Sequence, residues 1–209
     1  MEKEHGIFRS ERMLAYCDAI FAIALTLLII EIRLPEHVQG ESLWTILLHQ
    51  WPKFLSFLIS FMIISVVWFN HHTMFHYIKK VDHRLIIMNT LLMLNVVVIP
   101  FCSSLLGEYI TSGNPNAKIS ALIYGAWISI GGVPFNMIWT YALKKKELLE
   151  EGYSHTELMY MKKHFNRGPI IYLVVTLLAL INVWISVIGF VLLIALYFLP
   201  ATKWTKRKS

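Results

Sequence analysis

Charged residues are scarce in this chain. Of 209 residues only 15% are Asp, Glu, Lys or Arg, against 56% hydrophobic. A soluble domain of this length carries about a quarter charged residues, so a water-soluble globule is excluded and a multi-span membrane protein is expected. Cysteine is almost missing as well. Cys17 and Cys102 both fall inside apolar runs, which argues against a disulfide framework. The sequence lacks a zinc-protease HExxH, a phosphate-binding glycine loop and any convincing nucleophile and base pair, so an enzyme is not expected. The opening MEKEHGIFRSER has no apolar core and no small-residue cleavage site, so a cleaved signal peptide is not expected either. Internal repeats and low-complexity segments are lacking. Short polar ends leave no room for a soluble domain, and a single membrane domain over residues 1–209 is expected. A unit of this size without inverted halves is small for a transporter, so several copies are expected to act together.

What is present is a series of apolar runs. The first, Met13 to Leu34, is long enough to cross roughly 30 Å of hydrocarbon at about 1.5 Å per residue. SLWTILLHQW reads as an interfacial helix with tryptophans at both ends. Further spans are expected over Lys53–Ile78, Leu85–Leu106 with Pro100 inside, and Lys118–Leu143. The polar stretch KELLEEGYSHTELMYMKKHFNR then reads as a connector, helical at the surface. The last run, Pro169 to Pro200, is either one long tilted helix or a hairpin turning near INVWIS. The hairpin leaves Arg33, Lys53 and Lys118 on one side and the remainder of the 19 basic residues on the other. A single helix would send the C-terminal basic residues across, so the positive-inside rule selects the hairpin. The expectation is an all-α protein with six transmembrane helices and both termini cytoplasmic. The net charge of +6 is then a matter of topology and membrane surface, and nucleic acid is not an expected partner.

Polar groups at membrane depth need partners. Asp18 lies about 9 Å beyond Arg12 along the first helix. His72 in WFNHHTMFHYI, Asn89 and Asn136 fall at a similar level on the second, third and fourth spans. At about 100 degrees per residue, Arg12, Tyr16, Ala19, Leu27 and Ile30 all lie within about 40 degrees of Ile23, while Asp18 is about 140 degrees away. The carboxylate is therefore expected to face neighbouring helices, where His72, Asn89 or a backbone group could meet it. Trp68, His72 and Phe75 share one face, with His71 and His76 at its margins. The pair His72 and His76 has the spacing of a helical metal site, so a proton- or metal-coupled transporter using Asp18, His71, His72 and His76 stands as an alternative. Periodicity alone leaves the Ile23, Leu27, Ile30 stripe open between packing and pore lining.

Arg12, three residues, YCD, and then TL at Thr26 and Leu27 resemble the first-span signature of the endolysosomal potassium channel family (transmembrane protein 175). WFNHH and the pair Pro100–Phe101 are similar to that family too. Tyr16 and Cys17 depart from its phenylalanine and serine. The resemblance implies a homotetramer whose first helices line a central pore, with Ile23, Leu27 and Ile30 as an apolar constriction and Thr26 as a nearby hydroxyl. It implies a structural and gating network of Arg12, Tyr16, Cys17, Asp18, Trp68, Asn70, His71, His72 and Asn89. The function it implies is passive conduction of potassium and other monovalent cations across a prokaryotic plasma membrane, without cofactor or metal.

Overall fold

The computed structural model describes residues 8–33, 40, 42–111 and 113–198. The described residues are all-α apart from one minute ribbon. In order it forms β1 (Phe8–Arg9), α1 (Glu11–Ile30), α2 (Leu43–His49), α3 (Trp51–Tyr77), β2 (Lys80–Val81), α4 (His83–Tyr109), α5 (Ala117–Lys144), α6 (His155–Leu177) and α7 (Val183–Phe198). Helices are forced on the apolar runs because hydrocarbon offers backbone groups no partner, and only intrahelical bonds satisfy them locally. Four of the helices, α1, α3, α4 and α5, are long and apolar enough to cross a membrane. α2 is the short helix expected before Pro52. Ser42 caps it by accepting from Thr45 N–H at 3.2 Å.

Two expectations change. The first helix starts at Glu11 and ends at Ile30, and the expected end at Leu34 lies outside the described residues. The polar connector is not a separate surface segment. After a 3-10 turn at Lys146–Leu148, the second half of it forms the first turns of α6, which runs unbroken into the apolar stretch. Met161 and Phe165 supply the reason: both are buried, so the segment has an apolar face that packs against the bundle.

A 3-10 turn at Leu178–Leu180 breaks the final apolar run, and α7 returns antiparallel to α6. Tyr172 stacks on Phe190 at 6.1 Å, and His164 meets Tyr197 at 6.2 Å. The hairpin backbone is therefore present.

α5 occupies the centre of the bundle, and small residues let its neighbours approach. A Cβ at Gly125 would strike Thr176 of α6, one at Gly131 would strike Asn95 of α4, and one at Gly132 would strike the ring of Pro169. Pro169 has no N–H, so the carbonyl of Phe165 loses its helical partner. Asn136 of α5 replaces it, Nδ2 donating to Phe165 O at 3.4 Å. Asn95 and Trp127 lock α4 to α5 reciprocally, Nδ2 donating to Trp127 O at 2.9 Å and indole Nε1 to Asn95 O at 3.0 Å.

Gly132→Ala should therefore destabilise the bundle by about 1–3 kcal/mol through overpacking against a rigid ring. Gly168→Ala, whose new Cβ would meet only Tyr197 Oη at 3.4 Å, should be neutral or slightly stabilising, since alanine is the better helix former. Thermal unfolding of both variants in detergent distinguishes them. Equal melting temperatures would remove the close α5–α6 seam as a source of stability.

Candidate functional site

α1 is held by one face only. Cys17, Phe21, Ala24 and Leu28 are buried at spacings of three and four residues, as one side of a helix requires. The rest of the helix is open. Ile23, Leu27 and Ile30 are 55%, 39% and 59% exposed, and Tyr16 on the same stripe is 56% exposed. The stripe therefore does not pack against the chain's own helices. Thr26 is exposed beside it, and its Oγ1 donates to Ile23 O at 2.9 Å.

Two polar contacts fasten the helix to its neighbours, one exposed and one buried. Indole Nε1 of Trp68 on α3 donates to Asp18 Oδ1 at 2.9 Å. One residue earlier on α1, Cys17 Sγ accepts from Asn89 Nδ2 of α4 at 3.0 Å, and Asn89 Oδ1 accepts from His71 Nε2 of α3 at 2.9 Å. The amide of Asn89 thus uses both ends, tying three helices at one level and fixing the proton of His71 on Nε2. His71 and Asn89 are almost completely buried. Phe21 and Phe75 flank the imidazole at ring-centre distances of 5.5 and 4.6 Å.

The expected partners of Asp18 need correction. His72 does not reach it. His72 is exposed and lies 5.8 Å from the ring of Trp68, and the neighbouring His71 takes the buried position. Asn89 meets Cys17 rather than Asp18. Arg12 is exposed and makes no ion pair or side-chain hydrogen bond among the described residues. Asn70 lines a cavity of about 70 Å³ between α3, α4, α5 and α6, away from this contact set. Asn136 belongs to the α5–α6 seam. His76 packs edge-on against Tyr77 and Tyr153, so the three histidines have three different neighbourhoods. No three His, Cys, Asp or Glu side chains gather as a metal site among the described residues.

A second fastening holds the end of α1 where Arg12 lies, and sequence reading missed it. β1 pairs antiparallel with β2, Ser10 N–H donates to Lys79 O at 3.1 Å, and Lys79 N–H donates to Leu148 O at 3.0 Å. Asp82 caps α4 by accepting from Leu85 N–H at 2.9 Å, and its other oxygen accepts from Tyr141 at 2.6 Å and Lys145 at 3.0 Å. Burial raises the Asp82 carboxyl, but the bonds from Tyr141, Leu85 and Lys145 together outweigh it and hold it below its ordinary value. An Asp directly before the apolar run HRLIIM was the available signal, since aspartate in that place is a helix cap.

Comparison with known proteins fits these contacts. Residues 12–100 match the family model described as endosomal/lysosomal potassium channel TMEM175. A potassium channel of Chamaesiphon minutus is 38% identical over 189 residues, covering 90% of this chain and 92% of the relative. The chain belongs to the TMEM175 family. A Streptomyces collinus potassium channel is 31% identical over 68% of each chain. The endosomal/lysosomal proton channel TMEM175 of Danio rerio is 27% identical over 96% of this chain but only 39% of its own length. The crystal structure of a lysosomal potassium-selective channel TMEM175 homologue from Chamaesiphon minutus superposes with a TM-score of 0.80 at 35% identity, covering 90% of this chain and 95% of the other. The TMEM175 family is one of channels, not enzymes.

In this TMEM175 chain, Asn89→Leu removes both bonds of the relay and strands His71 Nε2. The expected cost is about 1–3 kcal/mol for the unpaired buried donor, seen as a lower melting temperature in detergent. No loss would mean that Asn89 does not hold α1. Asp82→Asn has a pH signature. Because the native carboxyl titrates below its ordinary value of about 3.9, its stabilisation is present above that value and is lost as pH falls through the native one. Wild type should exceed Asp82→Asn in melting temperature at neutral pH, with the gap closing in acid. A constant gap would remove the carboxylate as its origin.

Proposed function

We propose that the chain is a potassium-permeable channel conducting passively through a central pore, built as a homotetramer in a prokaryotic plasma membrane. The observation that carries this is the division of α1. One face is buried and hydrogen-bonded to α3 and α4, while the opposite stripe of branched aliphatic residues is left uncovered by its own subunit. Four such helices around an axis bring Ile23, Leu27 and Ile30 together as successive rings. From Ile23 to Ile30 the path is about 10 Å, and rings of this kind exclude water until the helices shift. Thr26 places a hydroxyl beside the narrow part. Asp18 does not touch the ion. It holds the pore helix through Trp68.

Counting passages, α1, α3, α4, α5, α6 and α7 alternate in direction, so six crossings return both chain ends to one side. That side carries the ribbon of β1 with β2 and the lysines near Lys79 and Lys145, and by the positive-inside rule it is cytoplasmic. The potassium channels of Chamaesiphon minutus and Streptomyces collinus support potassium as the permeant ion. A coupled transporter would need the histidines gathered on Asp18, and the geometry separates them.

Purified protein in liposomes under a potassium-to-sodium gradient should give a reversal potential displaced toward the potassium equilibrium value. Ile23→Asn should wet the constriction and raise potassium flux about tenfold or more, equivalent to lowering the barrier by about 1.4 kcal/mol. Unchanged flux in folded Ile23→Asn would remove Ile23 from the conduction path.

A further inference from the structure

α6 carries cations where the bilayer becomes apolar. Lys53 and Glu108 pair at 3.0 Å at one end of the bundle, and Lys118 donates to Leu180 O at 3.0 Å there too. Counting roughly 30 Å of hydrocarbon inward from these charges ends near Thr73 on α3, Met88 on α4 and Ile138 on α5. Phe165 lies 5.1 Å from Phe135 and 5.6 Å from Trp139 in ring-centre distance, and Pro169 abuts Gly132. By that register Lys163 stands at the hydrocarbon boundary and Arg167 about one helical turn, roughly 5 Å, inside it. Both are exposed, and neither makes an ion pair or side-chain hydrogen bond among the described residues.

The two cations begin a longer pattern. Lys163, Arg167, Ile170, Val174 and Leu177 follow at alternating spacings of four and three, which keeps them on one face of α6. The three aliphatic members are among the exposed large hydrophobic side chains. Going inward from the boundary, this face offers two positive charges and then about 10 Å of branched hydrocarbon surface.

We propose that this face of α6 binds an anionic phospholipid, its phosphate held between Lys163 and Arg167 and one acyl chain lying along Ile170, Val174 and Leu177. Charge complementarity favours a lipid over a second copy of the chain. A second copy seated symmetrically on this face would bring the same two cations, Lys163 and Arg167, against it, whereas an acidic headgroup brings a phosphate at that level, within reach of snorkelling side chains. The inference rests on the reading that the α6–α7 hairpin lies in the bilayer, but not on pore geometry or on the permeant ion.

Native mass spectrometry of purified protein titrated with phosphatidylglycerol or phosphatidylcholine tests it. Wild type should retain phosphatidylglycerol adducts preferentially. Lys163→Gln with Arg167→Gln should weaken that retention about tenfold, and Arg167→Lys should keep most of it. Lys144→Gln with Lys146→Gln removes the same net charge elsewhere and should leave it unchanged. Equal loss in that control would overturn the site in favour of net charge, and displacement of lipid by excess glycerol phosphate would overturn it in favour of a soluble phosphate. A shift in subunit number with unchanged lipid adducts would make the face a subunit contact and overturn it as well. The hairpin reading is checked separately: Val174→Cys in liposomes should resist a membrane-impermeant maleimide, and labelling would refute the hairpin reading itself.

Discussion

The amide of Asn89 and the indole of Trp68 set the arrangement on which the rest depends. A membrane gives little hydrophobic drive for one helix to prefer another, since lipid is as apolar as leucine. Polar contacts then decide which face of a helix turns inward. Asn89 satisfies Cys17 and His71 together, and Trp68 takes Asp18. These contacts consume one side of α1 within its own subunit. The opposite side, with Ile23, Leu27 and Ile30, is thereby left uncovered by the rest of the chain.

Fixing rotation is not enough, since a helix can also slide. The end of α1 bearing Arg12 is therefore tied by backbone pairing of β1 with β2 and by the Ser10 bond to Lys79. Lys79 is joined in turn to the segment after α5 through Leu148, and Asp82 links the start of α4 to Tyr141 and Lys145 at the end of α5. Movement of α1 along its axis would therefore have to disturb the ends of α3, α4 and α5 together. The glycine seam of α5 keeps those helices in register with α6. Cys17 takes part in this fastening through its sulfur, which accepts from Asn89 Nδ2 at 3.0 Å.

Much of this was legible in the residues. Lengths of apolar runs gave the four long apolar helices α1, α3, α4 and α5, and the last run breaks at Leu178–Leu180, beside the turn expected near INVWIS, because both depend on burial and charge. Depth counting placed Asp18, His72, Asn89 and Asn136 at one level; Asn89 does bond to α1, but at Cys17 and together with His71. The choice between His71 and His72 was not legible, since periodicity gives relative angles on α3 but not which angle faces α4. Trp68 was seen as a ring, yet its N–H was the partner Asp18 required. Asn136 shared the level but answers a carbonyl freed by Pro169 on another helix. Two-residue strands such as β1 and β2 carry no periodic signal, and the polar start of α6 concealed Met161 and Phe165, whose burial makes it part of the bundle.

Position-specific thiol modification bears most directly on the uncovered stripe. Leu27→Cys and Ile29→Cys place thiols only about 3 Å apart along α1 but about 160 degrees apart around it, and the native Cys17 and Cys102 are buried. Reconstituted protein treated with a small water-soluble cationic thiol reagent while potassium flux is recorded should lose most of its flux in Leu27→Cys and retain it in Ile29→Cys. Modification of Leu27→Cys without loss of flux, or the same response at both positions, would contradict a pore lined by this face of the first helix.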